Sequence, residues 1–320
     1  MMHKIILSVL LLLTVKAFAQ NCDKATLIQM PGKWLKEKDN PSYGIKAPDL
    51  VKMKANLANI HNMLQLNYKP HGADADYNNV YQGGRFKPGF PLQYSYSIRI
   101  MKYACNGNTI KKDHESNTGL NVFVNSYSSL NIYEETVVGA AVADGFYALP
   151  GHVEQQKDYL KWTEEVSLGF GMDGMQTNWL VTCNNQLPFS FVTKKEFLEK
   201  KKEIVLAELA KYKDDPAYIS ALKEIENELK KPEREQNKPA VIKTNTVNSK
   251  SFAFAVTGDK YCRTLIKPLP SYFNLRIPPA SPQFFTIILH GDQQNELSKK
   301  AIRDLEAAID FTTLKTMLGK

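Results

Sequence analysis

The strongest constraint on the fold is a strict alternation of apolar and polar residues between positions 92 and 100. The apolar positions of this stretch are Leu92, Tyr94, Tyr96, Ile98 and Ile100. Successive side chains of a strand point to opposite faces, so the alternation predicts a β-strand with one face buried against a core. The strand pattern runs on to Cys105, and Asn106-Gly107 then predicts a tight hairpin turn.

Three regions carry helical patterns. Apolar residues recur every three or four positions between Leu50 and Leu64, which predicts a helix from about Pro48 to Leu66 that packs on a core. A second helix is expected around Glu296 to Ile309, followed by a short helical turn over 314–318. Between them, Thr193 and Glu196 form a capping box. This box opens a helical hairpin over 193–231, followed by a polar linker over 232–250.

The remaining segments predict a mixture of strands and loops. Residues 67–91 are rich in Gly and Pro and are expected to form a loop, and the Gly- and Met-containing segment 169–175 an irregular connection. Asn184-Asn185 is expected to turn one strand into the next as a second hairpin. The expected strands cover 120–127, 177–183, 187–192, 252–256, 261–266 and 284–290, with apolar stretches at 137–142 and 146–149. The expected fold class is α+β: an antiparallel sheet packed with an N-terminal and a C-terminal helix, carrying the inserted helical hairpin.

The first nineteen residues resemble an export signal. His3 and Lys4 precede an apolar run from Ile5 to Val15, and Ala17-Phe18-Ala19 provides a small-x-small cleavage pattern. The run is too short to span a bilayer. We therefore expect a signal peptide over 1–19 and a single mature α+β domain over 20–320, exported to the periplasm or secreted, with no transmembrane anchor after cleavage.

Charge argues against a polyanionic partner. Residues 1–19 contain two lysines and no acidic residue, so the net charge falls from +8 to +6 in the mature 301 residues. The densest basic run, Lys194 to Lys202, also contains Glu196 and Glu199. It is expected to be a solvated helix face with paired charges. Without a clustered basic stripe, no nucleic-acid partner is expected. An unidentified protein or glycan partner remains open, with the helical hairpin as one surface that a partner could use.

The cysteine pattern predicts disulfide bonds. Four cysteines lie in the mature chain: Cys22, Cys105, Cys183 and Cys262. An even number in an exported protein suggests two disulfides, for which three pairings are possible. The large spacings exclude a CxxC redox motif and a compact zinc knuckle.

Several segments together resemble an uncharacterised family of secreted proteins from Bacteroidota. These segments are Pro31-Gly32-Lys33-Trp34, Tyr103-Ala104-Cys105-Asn106, the run from Leu187 to Leu198, Ser271-Tyr272-Phe273-Asn274, Pro282-Gln283-Phe284 and the run from Leu314 to Leu318. The resemblance touches most of the mature chain and implies no activity. It does imply that Cys22 pairs with Cys105, which leaves Cys183 with Cys262 as the second pair. The position of Lys194 is usually arginine in the family.

Catalytic signatures are absent from the sequence. It contains no HExxH, GxSxG or P-loop motif, and no cofactor or metal is expected. The candidates for a catalytic site are His290 and Asp292, at the end of a predicted strand, and His152, which follows Pro150-Gly151. No motif spacing links the three, so exposed turn positions are the simpler interpretation.

Two further patterns were considered as binding sites. Asp74, Asp76 and Asn78 have the spacing of a calcium loop, but Asn79 and Arg85 replace its glycine and glutamate. A solvated turn is therefore expected there. Tyr94 and Tyr96 could form a platform for sugars or peptides, yet they share a strand face with Ile98 and Ile100 and are expected in the core.

The expected function is a non-enzymatic binding or structural module of the bacterial envelope. The alternative is a periplasmic hydrolase with a His/Asp site near His290. Whether the largest cleft collects histidines with carboxylates, or aromatic and apolar groups, distinguishes the two hypotheses.

Overall fold

The computed structural model describes residues 22–40, 44–82, 90–113, 117–126, 146–150, 152–168, 173–183, 186–243, 252–255 and 262–320. The signal-peptide prediction and the apolar stretch at 137–142 lie outside these residues, as do the Asn184-Asn185 turn, Arg85 and most of the Gly- and Met-containing segment. The last residues of that segment, Asp173 to Met175, begin a strand. Among the described residues, no helix is long and apolar enough to cross a membrane.

The described residues form seven α-helices and thirteen strands. The helices are α1 (Lys24–Gln29), α2 (Ala47–Asn67), α3 (Lys194–Lys211), α4 (Pro216–Leu229), α5 (Glu233–Gln236), α6 (Glu296–Ala308) and α7 (Phe311–Met317). The strands are β1 (Trp34–Lys36), β2 (Ala73–Gln82), β3 (Gln93–Asn106), β4 (Thr109–Lys112), β5 (Gly119–Val124), β6 (Tyr147–Pro150), β7 (Glu154–Gln155), β8 (Leu160–Ser167), β9 (Asp173–Thr182), β10 (Phe189–Phe191), β11 (Val241–Lys243), β12 (Cys262–Pro268) and β13 (Phe284–Gly291).

A large sheet of nine strands forms the centre of the molecule. Its order is β1-β2-β3-β5-β13-β9-β8-β7, with β4 paired to β3 beyond this path. The β1–β2 pair is parallel and the other pairs are antiparallel. As predicted, β3 and β4 form a hairpin, and Gly107 in its turn has φ +60°, which glycine adopts without steric cost.

Three helices cover one face of the large sheet. Tyr94, Tyr96 and Ile98 of β3 point to this face and pack with Leu57 and Ile60 of α2 in one buried cluster. Helices α6 and α7 add Leu305 and Leu314 to the same cluster. The predicted core positions of β3, and the N- and C-terminal helices that were expected to cover them, are therefore confirmed, and the fold class is α+β.

A small sheet covers part of the opposite face. It has the order β10-β12-β11, with β6 also paired to β12. Residues that alternate along its strands point in opposite directions: Leu149 and Ile266 join a core with the large sheet, whereas Ala148 and Leu265 join another core. The buried ion pair between Arg263 of β12 and Glu164 of β8, at 2.7 Å, also links the two sheets.

Helices α3 and α4 pack on the outer side of the small sheet. The Thr193 capping box opens α3, as predicted, and the Asp215 side chain caps α4. Lys202 of α3 pairs with Glu226 of α4. The two residues are about equally far from the turn that connects the helices, so α3 and α4 form an antiparallel hairpin. Phe197, Val205 and Ile225 are fully buried in the core that the hairpin shares with the small sheet.

Lys201 contradicts the prediction that the basic run is a purely solvated face. This lysine is buried and lies near the ring of Phe252, and burial lowers its pKa to about 8. The other lysines of the run are partly or fully exposed. One side of α3 therefore belongs to the core although its sequence is strongly charged.

Three sequence predictions of local structure are wrong. Residues 73–82, expected in a loop, form β2, which pairs with β3 over its whole length. The segment after Cys183 does not return along β9: its strand β10 pairs with β12 in the small sheet. The predicted polar linker 232–250 contains α5 and β11. The partner of β10 is more than 70 residues away in sequence, which local patterns do not reveal.

The cysteines form one disulfide among the described residues. Cys22 and Cys105 are bonded, as the family resemblance implied, and the bond ties the chain before α1 to the end of β3. The expected Cys183–Cys262 bond is wrong, since both thiols are free. The β10–β12 pairing places the chain that follows Cys183 at the Pro268 end of β12. Cys183 itself lies beyond that end, because its backbone N–H donates to the Tyr272 hydroxyl at 3.3 Å. Cys262 begins the strand, six residues or about 20 Å from Pro268, so the two cysteines are too far apart for a disulfide.

Candidate functional site

A pocket of about 350 Å³ opens between α2, β2 and the chain that follows β1. We call it the His61 pocket. It is lined by Lys36, Asp39, Lys54, Leu57, Ala58, His61, Tyr77, Asn79, Tyr81 and Tyr96. It lies on the helix-covered face of the large sheet, near the edge formed by β1.

Two regular spacings place most of these side chains. Lys54, Leu57, Ala58 and His61 follow the three- and four-residue spacing of a helix, so they share one side of α2. The β2 residues that line the pocket, at positions 77, 79 and 81, follow the two-residue spacing of a strand. The pocket is thus built on two regular elements, which hold its lining groups in fixed positions.

The third wall comes from β1 and the residues that follow it. Lys36 lies directly beside Tyr77 in the parallel pair of β1 with β2. Beyond β1, Asp39 accepts hydrogen bonds from the backbone N–H of Asn79 at 3.1 Å and from its side-chain amide at 3.3 Å. These contacts hold the chain after β1 against β2 and set the position of the Asp39 carboxylate.

Aromatic rings form the inner part of the site. The imidazole of His61 stacks on the ring of Tyr77, with centroids 4.2 Å apart and planes 23° apart. Trp34 meets His61 nearly at right angles, at 5.3 Å, and also contacts Tyr68 and Tyr77 edge-on. Aromatic side chains have few rotatable bonds, and here each ring restricts its neighbours. The floor of the pocket is therefore rigid before any ligand arrives.

His61 and Tyr96 form a neutral polar pair at the base of the pocket. Nδ1 of His61 lies 2.7 Å from the hydroxyl of Tyr96, which is fully buried. Burial, with a smaller contribution from the positive charge of Lys36, lowers the pKa of His61. Burial also raises the pKa of Tyr96 far above its ordinary value. The imidazole and the phenol are consequently both uncharged at pH 7.

The charged and polar groups of the pocket differ in whether they form ion pairs or hydrogen bonds within the protein. Lys36 pairs with Asp39 at 3.4 Å, whereas Lys54 forms no ion pair with any residue that the structure describes. Tyr81 is 94% buried, and its hydroxyl makes no hydrogen bond of ordinary geometry within the described part of the chain. Burial raises the pKa of Tyr81, and the nearby Asn79 side chain offsets part of this shift. The pocket therefore presents one ammonium group, that of Lys54, to a ligand, whereas the Tyr81 hydroxyl is closed off from solvent.

The structure does not unite the residues that the sequence singled out for catalysis. His290 is on β13, where its imidazole packs over Gly119 of β5, and burial lowers its pKa. Asp292 follows the strand and accepts a hydrogen bond from the backbone N–H of Gln294. His152 precedes β7 and its side chain is 86% exposed.

Strand order separates His152 from His290. Strands β8 and β9 lie between β7 and β13, so three interstrand spacings, about 14 Å, divide the two histidines across the sheet. Neither histidine, nor Asp292, lines the His61 pocket. The geometry offers no shared site for this trio.

Asp74 and Asp76 occupy a strand and not the solvated turn that was expected. Both are buried on the face of β2 opposite the His61 pocket. Lys112 contacts Asp76 at 2.8 Å and Asp74 at 3.5 Å, and Asp74 also accepts hydrogen bonds from the Tyr103 hydroxyl and the Lys33 backbone N–H. We call Asp74, Asp76, Lys112, Tyr103 and Lys33 the Asp74 cluster. Within the described residues, no group of three His, Cys, Asp or Glu side chains is arranged to hold a metal ion.

The sequence interpretation missed the His61 pocket because its residues come from four separated segments. The alternation of Tyr77, Asn79 and Tyr81 could have indicated a strand within the supposed loop. Likewise, Lys54 and His61 lie beside the apolar stripe of α2 at helical spacing. Only the sheet pairing joins these two patterns to Lys36 and Asp39.

Comparison with known proteins adds no relative: no family model, no curated protein and no solved structure matches this chain.

Proposed function

We propose that this protein is an exported, non-enzymatic binding module of the bacterial envelope and that it holds a small ligand in the His61 pocket. Residues 1–19 support export through their signal-like pattern. The Cys22–Cys105 disulfide agrees with an oxidising compartment, and so does the resemblance to secreted proteins.

The observation that carries the binding proposal is a preformed aromatic pocket whose rim carries the ammonium group of Lys54, which has no ion pair among the described residues. His61, Tyr77 and Trp34 hold one another in place. Ligand sites combine such apolar walls with a few convergent polar groups, and a rigid site loses little entropy when it binds.

Binding accounts for the pocket better than catalysis does. Both oxygens of Asp39 accept hydrogen bonds from Asn79, and Nδ1 of His61 faces the Tyr96 hydroxyl. These groups are thus engaged in holding the pocket together. The hydrolase with a site near His290 remains the alternative, but no observation favours it, because His290, Asp292 and His152 share no pocket among those described.

The proposal can be tested by filling the pocket. Ala58 is an exposed residue of α2 that lines the pocket, and Ala55 is exposed on the same helix outside it. Ala58→Phe should block the pocket, whereas Ala55→Phe adds the same side chain elsewhere on the helix. A thermal-shift screen of sugars, amino acids and small organic acids would be run on the wild-type protein and both variants.

We expect ligands that raise the melting temperature of the wild type and of Ala55→Phe but not of Ala58→Phe. If no compound shows this difference, the pocket is not a ligand site and the proposal fails. Hydrolysis of ester, peptide or glycoside substrates that is lost in His290→Asn would favour the alternative. Export would be checked by the mass of the protein isolated from the organism, which should begin at Gln20.

A further inference from the structure

We infer that the ligand of the His61 pocket is an acidic sugar unit of the uronic-acid type. Its ring would pack against the aromatic wall and its carboxylate would pair with the ammonium groups at the rim. This inference rests on the proposed binding function and adds the chemical class of the ligand.

The charge of the lining selects an anion. Two ammonium groups, those of Lys36 and Lys54, face one carboxylate, that of Asp39. His61 is uncharged at pH 7 because burial and Lys36 disfavour its protonation. The lining therefore carries one excess positive charge, and Lys54 is the group that has no ion pair within the described residues. A single carboxylate on the ligand would neutralise it through a charge-assisted hydrogen bond.

The remaining groups select a body that is both ring-shaped and hydroxylated. The rings of Tyr77 and His61, with Leu57 and Ala58, provide an apolar wall against which the C–H face of a sugar ring can pack. Asn79 also lines the pocket, and the oxygen of its side-chain amide can accept a hydrogen bond from a sugar hydroxyl while its N–H donates to Asp39. Benzoate has no hydroxyl group to donate to this oxygen, which disfavours an unsubstituted aromatic acid.

The size of the pocket limits the ligand to about one sugar ring. At about 350 Å³ it lies near the lower end of the range of small-molecule pockets. Aromatic rings and α2 close its base, so a longer chain could extend only outward past the rim. A terminal uronate of a polysaccharide and a free uronic acid share this chemistry. Comparing the affinity for the monosaccharide with that for a uronate-ended oligosaccharide distinguishes the two sources.

The experiment is a calorimetric titration of the full-length mature protein with four probes. The probes are D-glucuronate, a glucuronate-ended disaccharide, D-glucose as the neutral counterpart and benzoate as the aromatic acid. Lys54→Ala removes the unpaired ammonium group. Lys52→Ala is the matched control, since Lys52 is on the same helix but outside the pocket lining. Ala58→Phe shows whether any binding occurs in the pocket.

We expect D-glucuronate to bind at least tenfold more tightly than D-glucose and benzoate, and the affinity to fall as salt is added. Lys54→Ala should weaken glucuronate binding about tenfold, whereas Lys52→Ala should change it less than twofold. Tighter binding of the disaccharide would identify a polysaccharide end as the source of the ligand, and equal binding would identify the free sugar acid.

Other results would overturn the inference. Equal affinity for glucose would show that the carboxylate is not selected, and stronger binding of benzoate would show that a hydroxylated ring is not needed. If no glucuronate probe binds but the thermal-shift screen finds ligands that Ala58→Phe excludes, the ligand class is wrong and the binding function stands. If neither experiment finds such a ligand, both proposals fail.

Discussion

Strand β2 presents polar residues on both of its faces, but the two faces use them differently. On one face, Asp74 and Asp76 have Lys112 and other donors within contact distance, and both are buried. On the other face, Tyr77 and Tyr81 line a pocket that opens to solvent beside an unpaired lysine. Residues that alternate along β2 thus belong either to the Asp74 cluster, whose polar groups are paired, or to the His61 pocket, which is open to solvent.

This difference separates a structural role from a binding role. In the Asp74 cluster the charges and hydrogen-bonding groups satisfy one another, so the cluster can stabilise the packing of β2, β3 and β4 without a ligand. In the His61 pocket, the ammonium group of Lys54 has no ion pair among the described residues and can pair with a ligand. If this interpretation is correct, substitutions on one face should change stability and those on the other should change binding.

The largest effect is expected from the disulfide, because it affects both faces together. Cys22–Cys105 anchors the N-terminal segment, which supplies Lys36 to the pocket and the Lys33 N–H to the Asp74 cluster. For a separation of 83 residues, the loop-entropy model gives about 4 kcal/mol. The double variant Cys22→Ser/Cys105→Ser should lose about that much unfolding free energy in equilibrium urea denaturation.

The matched control for this prediction is Cys183→Ser, because Cys183 is exposed and free. It should change the unfolding free energy by less than about 0.5 kcal/mol. Thiol titration of the denatured, non-reduced protein should count two thiols. A count of zero, or a large loss of stability in Cys183→Ser, would show that a second disulfide exists after all.

The next largest effect should come from the closed face of β2. Asp74 is 8% exposed and receives hydrogen bonds from Tyr103 and from the Lys33 backbone. Asp74→Ala leaves the Tyr103 hydroxyl and the Lys33 N–H without their acceptor, although Lys112 keeps Asp76, and should lower the unfolding free energy by about 3 kcal/mol. Calorimetric unfolding would measure it.

An exposed ion pair supplies the comparison for the Asp74 prediction. Lys211 and Glu208 pair at 2.7 Å on the surface of α3, and Lys211→Ala should lower the unfolding free energy much less than Asp74→Ala does. If Asp74→Ala costs no more than Lys211→Ala, the cluster does not stabilise the sheet. The contrast between the two faces of β2 would then disappear.

A pair of tyrosine substitutions sharpens the contrast within the helix-covered face. The Tyr94 hydroxyl donates to the carbonyl of Ala280 and accepts from Asn56, so Tyr94→Phe should cost about 1–2 kcal/mol. The Tyr81 hydroxyl lacks such partners among the described residues, so Tyr81→Phe should leave stability nearly unchanged. Urea denaturation of both variants tests the difference, and equal losses would show that the Tyr81 hydroxyl is already satisfied.

The sequence predicted those parts of the fold in which one periodicity dominates. Helix α2 and strand β3 have a clear apolar side, and both were placed within a few residues. Strand β2 was missed because Asp74 and Asp76 point inward and resemble a polar loop until Lys112, 36 residues later, is placed beside them. Strand β10 was assigned to the wrong partner for a related reason, since β12 lies more than 70 residues further along the chain.

The same argument explains why the sequence could not reveal the candidate site. His61, Tyr77 and Lys36 are ordinary residues within their own segments, and their chemistry arises only when β1 and α2 meet β2. His290 was a candidate catalytic residue because it lies at the end of a predicted strand, but the strand order of the sheet separates it from His152. Motif-based reasoning favours residues that are close in sequence, whereas this pocket is assembled by tertiary pairing.

The smallest expected effect is a dependence of stability on pH. Burial lowers the pKa of His61 and of His290 below the ordinary value of about 6.5. Between the lowered value and 6.5, the unfolded chain binds more protons than the folded protein does. The unfolding free energy should therefore decrease as the pH falls through this interval and reach its full value above it.

The contribution of His61 can be separated from that of His290 by the slope of stability against pH. Lys36 and Lys54 add positive charge around the imidazole, while Asp39 opposes them, and the Tyr96 hydroxyl contacts its Nδ1. His61→Gln also removes the stacked ring, so the absolute stability of this variant is uninformative. The slope of its unfolding free energy against pH, between pH 7 and 5, should be shallower than that of the wild type. An unchanged slope would mean that His61 accepts a proton as readily in the folded protein as in the unfolded chain, and the pocket would then carry an additional positive charge near pH 6.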